Sequence, residues 1–219
     1  MAISSHIAHR SVKGLAGDTR ELTRRLGAPE DLVELSSALP APGPATIVDV
    51  ASLRGFLSAY VNSVLIPVEL PLVRRGFDHA SHGAIAELIG LDQAHVPAGL
   101  AEHMTEASRL AGRKHLGRMR PLRGERRVQR YWRAVQRGEA HAWHSVVYSL
   151  VLAVYALPLR QGLLNFGCQT IRGFVGTSRD RLSLDEVACQ DLEREMEAAL
   201  APAIEVLLAG SAGPKLLTV

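Results

Sequence analysis

Apolar positions recur along this chain at intervals of three and four, and hardly anywhere at two. In DVASLRGFLSAYVNSVLI, which begins at Asp49, residues Leu53, Phe56, Leu57, Tyr60, Val61, Val64 and Leu65 share one side of a helical wheel. That spacing predicts an amphipathic helix with a wide buried stripe. Pro67 and Pro71 are expected to break it, and LVRRGFDHASHG to resume the period. AIAELIGLDQAH reads as a short helix. LAEHMTEASRLAGRKHLGRM reads as a longer one, opened by Pro97 and closed by Pro121. RGERRVQRYWRAVQRG continues to Gly138, a suitable C-terminal cap. HAWHSVVYSLVLAVYALPL is read as a buried helix entered through His141, Trp143 and His144 and stopped by Pro158. RQGLLNFGCQTIRGFVGTSRDRL follows, and then a last long helix in SLDEVACQDLEREMEAALAPAIEVLLAG. There Ser183 stands as a cap with Glu186 as its capping-box partner.

Upstream, GDTRELTRRLG and PEDLVELSSALP carry two more helical patterns. Asp18 and Thr19 are candidate caps, Gly27 a stop, and Pro29 sits at a first-turn position. APGPA, 41–45, is a linker that cannot be helical throughout. No alternating β-branched run and no Asn-Gly or Asp-Gly hairpin occurs. The pattern therefore predicts an all-α protein, a single globular multi-helix domain of about eight or nine helices. The expected division is a helical segment with a Pro-rich linker over 1–48, a helical domain over 49–210 and a flexible tail over 211–219.

Composition sharpens this picture. Hydrophobic residues make up 47% of the 219 positions and aromatics only 5%, so the interior must be mostly aliphatic, as in packed helices. A formal charge of +3 is too small to argue for nucleic acid without a local patch. Cys168 and Cys189 form no CxxC and fit two ordinary buried thiols in a reducing compartment. The N-terminus lacks the apolar stretch of a signal peptide. The uncharged stretch from Ser145 to Leu159 is shorter than the roughly 20 residues a span needs. A cytoplasmic protein without a membrane partner is expected.

Nucleotide and nucleophile signatures are missing: no GxxxxGK[ST], no GxGxxG after a strand, no GxSxG. Two histidine pairs at i, i+3 spacing remain, His79 with His82 and His141 with His144. If their helices met, four imidazoles would surround one ion such as zinc or nickel, which makes a metal-binding helical protein or enzyme the alternative function. Otherwise these histidines serve helix ends or solvent. From Arg109 to Arg137 eleven Arg or Lys face a single acid, Glu125. Such a run suits a solvated helix face, an acidic protein partner or phosphates. Only Tyr131 and Trp132 are at hand to stack on bases, and no nucleic-acid partner is expected.

The order of these features resembles the urease accessory protein F family. The resemblance rests on LRGFLSAYVNSVLIPVELPLVRRGFDHASHG, on HMTEASRLAGRKHL and on HAWHSVVYSLVLAVYALPLRQGLLNFGCQTIRGFVGTSRDRL. Ala107, Ser108 and Arg109 match the family's alanine-serine-arginine helix. His141, His144, Val146, Val147, Tyr148 and ALPL match its valine-rich helix, with Trp143 inside the same motif. Arg181, Leu182 and Gln190 match its closing positions. The family's glycine-rich segment before the first long helix is replaced here by ALPAPGPATIVDVASLRGFL, so the N-terminal region is divergent. The resemblance implies a dimeric, non-catalytic adaptor that binds urease accessory proteins D (also called H) and G and supports nickel insertion into apo-urease. Nickel and GTP would act through those partners, with no cofactor bound directly. Arg109, Arg113, Arg181 and Gln190 are the candidate partner contacts.

Overall fold

The computed structural model describes residues 46–95, 102–119 and 124–210, together with Leu35, Ser36, Ala38, Leu39 and Leu122. The readings of Asp18, Thr19, Gly27, Pro29, Pro97, Pro121, the 41–45 linker and the 211–219 tail lie outside those residues. Among the described residues the chain is all-α, without a strand.

The first helix starts where the pattern places it. Asp49 accepts the Ser52 N–H at 2.7 Å and donates its own N–H to the Ser52 hydroxyl at 3.0 Å, closing a capping box. From there α1 (Val50–Tyr60) runs on through a π-helical segment (Val61–Glu69) into α2 (Leu70–Ser81). The break expected at Pro67 and Pro71 does not occur. A proline lacks the N–H and its ring strikes the carbonyl four residues back. The chain answers with wider winding around Pro67, and the ladder picks up again with the Leu70 N–H bonded to the Leu65 carbonyl. The resulting 32-residue helix is long and apolar enough to cross a bilayer by length and composition, yet half of its most apolar window is buried inside the molecule.

The π segment also holds a buried acid. Glu69 accepts the Tyr60 hydroxyl at 2.8 Å, and burial raises its carboxyl to about 7 although that bond lowers it. A carboxyl raised on folding favours the folded state while protonated. Its contribution is present below the ordinary carboxyl range and is lost as pH rises from about 4.5 through about 7. At about 1.4 kcal/mol per pH unit, that window costs about 3 kcal/mol of stability. Urea unfolding at a series of pH values should show wild type losing this amount relative to Glu69→Gln; parallel profiles would refute it.

The remaining elements are α3 (Ile85–Ala94), α4 (Glu102–Met119), α5 (Arg126–Gln136), α6 (His144–Val154), α7 (Leu159–Leu182), α8 (Glu186–Glu197) and α9 (Leu200–Ala209). The axis of the fold is α6, packed against α2 and α4, with α7 running past α1 and α2 and carrying α8 and α9. Every residue from His144 to Ala153 is buried, as the HAWH stretch predicts. Each Val or Leu among them stabilises by about 1.5–3 kcal/mol. Close approach to α2 is possible because Gly76 leaves room, since a Cβ there would fall within 2.9 Å of the Ser149 Cβ.

Four helices end in the same way, with a residue of positive φ and paired bonds back to the last turn: Gly83, Gly138, Ala156 and Ser183. Gly138 is the stop the sequence announces. Ala156 and Ser183 carry a Cβ into a region that disfavours it and are silent in the sequence. Three readings change here. Helix α6 ends at Val154 with its positive-φ stop at Ala156, and Pro158 instead precedes α7. Ser183 closes α7, while Asp185 caps α8 by accepting the Ala188 N–H at 2.7 Å. The last long helix divides into α8 and α9, because Pro202 cannot donate back to the Ala198 carbonyl.

Candidate functional site

A helix buried from its first residue has nowhere to send its first N–H groups. The N-cap of α6, Trp143, has no capping side chain of its own. The Trp143 and His144 donors, and that of His141 just upstream, are met by two other helices. Asp92, fully buried in the last turn of α3, accepts the backbone N–H of His141 on one carboxylate oxygen and that of Trp143 on the other, the latter at 3.3 Å. Ser108 of α4 accepts the His144 N–H at 3.3 Å. Negative charge at a helix N-terminus is also favoured by the helix dipole.

Asp92 holds more than the helix start. The buried Tyr131 hydroxyl of α5 donates to it at 2.5 Å, and the Trp143 indole N–H donates to its backbone carbonyl at 3.0 Å. Burial and the neighbouring Asp92 push the Tyr131 phenol well above its ordinary range, so it stays a donor. One carboxylate thereby ties α3, α5 and the entry to α6 together.

Helix α4 closes the other side. Gly112 lies against the backbone of Ala142, whose φ is +61°; a Cβ on Gly112 would sit 3.0 Å from the Ala142 carbonyl carbon and the His144 nitrogen. The Arg109 guanidinium lies 4.8 Å from the Trp143 ring centroid, with Glu106 at 3.7 Å. His95 and His141 meet the same indole, at 5.4 and 5.7 Å between ring centroids. Burial lowers the His95 imidazole, with Asp92 opposing. Further in, His144 stacks on Phe166 at 5.3 Å, and His115 lies 6.2 Å from His144.

The sequence candidates thus separate. Ser108, Arg109, His141, Trp143 and His144 meet at this junction, and Tyr148 packs behind it on Phe166. Arg113 is exposed on α4. Arg181 and Gln190 are exposed on other helices, α7 and α8, and Gln190 donates to Glu186 at 3.0 Å. His82 sits 2.7 Å from the Asp78 carbonyl at the end of α2, and His79 is half-buried nearby. Among the described residues no three His, Cys, Asp or Glu side chains are grouped to share an ion, so the four-imidazole arrangement is not assembled there. Both cysteines are free thiols; Cys189 is buried, whereas Cys168 is only half-buried, with burial pushing it up to about 12.

Sequence reading missed three residues that organise this region. Asp92 is the only acid near the end of an apolar helix, a signal that was available. Gly112 carried none, being one helical glycine among several. Arg127, counted only as part of the basic run, holds Glu125 through two nitrogens and reaches the Ala80 and Ala153 carbonyls at 3.3 and 3.4 Å. It satisfies the ends of α2 and α6 from one side chain.

The family model described as UreF matches residues 47–197, a stretch that spans α1 to α8. No curated protein matches the chain.

Proposed function

We propose that this chain, which belongs to the UreF family and is a urease accessory protein, acts in urease maturation as a non-catalytic adaptor. In this reading it forms a homodimer in the cytoplasm and binds accessory proteins D/H and G. It supports GTP-dependent nickel insertion into apo-urease while binding neither nickel nor GTP itself. The observation that carries the reading is the family match across the helical domain. The residues that carry the resemblance add to it: Ser108, Arg109 and the HAWH segment are spent on fixing helices α3 to α6 to one another. Side chains committed to packing and caps suit a rigid docking body better than a reactive centre.

Deleting the gene is expected to leave urease assembled but poor in nickel, with activity reduced at least about tenfold and restored by the wild-type chain. Elemental analysis of purified urease checks this, and a normal nickel content would refute it. Co-purification of tagged protein with accessory proteins D/H and G tests the adaptor role separately.

A further inference from the structure

Arginines across the described surface are mostly partnered. Arg54, Arg160, Arg172, Arg179 and Arg194 each lie within 3.2 Å of a carboxylate. Helix α5 departs from that rule. The side chains of Arg126, Arg130 and Arg133 are exposed and, among the described residues, make no ion pair or hydrogen bond. Their spacing of four and three places them in one narrow stripe, opposite the buried Val128, Tyr131 and Ala134. Arg137 continues the stripe, holding Glu139 at 2.9 Å. Like charges one turn apart repel by a few tenths of a kcal/mol, so the fold gains nothing from the arrangement. The stripe extends roughly 16 Å along the helix.

We infer that the arginine stripe of α5 is a docking surface for an acidic protein face, carried by one of the maturation partners; this rests on the adaptor reading above. A row of carboxylates at helical spacing would meet the three guanidinium groups in register, each a two-pronged donor to a carboxylate. Single-stranded nucleic acid is a poorer fit, because it needs aromatic platforms beside the charges. The aromatic residues of α5 are not available: Tyr131 is fully buried on Asp92, and Trp132 packs against the core.

The test is surface plasmon resonance on the full chain with purified accessory proteins D/H and G, comparing wild type with R126E/R130E/R133E. Since the three side chains are exposed and hold no polar partner among the described residues, the variant should melt close to the wild-type temperature. R126Q/R130Q/R133Q replaces it if charge reversal prevents folding. For a partner that wild type binds, the association rate should fall about 10- to 100-fold, with a flatter salt dependence. An unchanged rate and salt dependence for every partner bound would overturn the stripe while leaving the adaptor reading intact. Failure of wild type to bind any of these proteins would instead remove the adaptor reading and the inference resting on it. A 20-nucleotide poly(U) RNA that binds wild type and not the variant, with protein binding unaffected, would reassign the surface to nucleic acid.

Discussion

Gly112→Ala is expected to destabilise the protein by about 3 kcal/mol or more, and Gly112→Val to prevent the native fold from forming. An added Cβ would enter the carbonyl group of Ala142, which is main chain and cannot rotate aside as a side chain end would. To make room, α4 must move off α6, and the Ser108 bond to His144 and the Arg109 contact with Trp143 stretch with it. The sign makes this test sharp. In a helix interior alanine is ordinarily favoured over glycine by about 1 kcal/mol. Gly117, one and a half turns along the same helix, has open space around its Cβ position. Gly117→Ala should therefore stabilise or leave stability unchanged while Gly112→Ala destabilises. Thermal and urea unfolding of the two variants read the contrast directly, and equal effects would show that the close approach of α4 to the 140–144 segment is wrong.

Asp92→Ala carries the second large effect. It leaves the buried Tyr131 hydroxyl and Trp143 N–H, and the half-buried His141 N–H, without their acceptor. An orphaned buried donor costs about 1–3 kcal/mol, so the variant should lose roughly 4 kcal/mol. Tyr131→Phe removes one donor together with its need for a partner and should cost only about 1 kcal/mol. The ordering is the measurement that matters: if Asp92→Ala were no worse than Tyr131→Phe, the carboxylate would not be what fixes the start of α6. A functional consequence follows under the adaptor reading. With that anchor gone, the helices keep their apolar packing but lose a fixed mutual orientation, so partner binding should weaken below the unfolding temperature.

The helices themselves were legible. Leu53, Leu57, Tyr60 and Leu65 repeat at helical spacing because one face must leave water, and that requirement is written in the order of residues. The Asp49 cap and the Gly138 stop were legible for the same reason, each being a contact between near neighbours. The prolines misled because their local cost can be met by wider winding, and the gain that makes wider winding worthwhile comes from packing across α1 and α2. The stops at Ala156 and Ser183 were not legible, because neither residue favours the positive φ it adopts.

What the chain order settled alone is therefore the class of fold and the buried character of α6. These follow from the three- and four-residue period and from short-range caps. Only the tertiary structure decided that Asp92, Ser108 and Gly112 converge on the start of α6 and that Arg127 closes the ends of α2 and α6. It alone separated the arginines spent inside the fold from those of α5 that face outward. The reason is physical. A cap or a helical face is fixed by neighbours within one or two turns, whereas a buried polar group finds its partner 36 to 51 residues away. No local pattern encodes which distant donor will arrive.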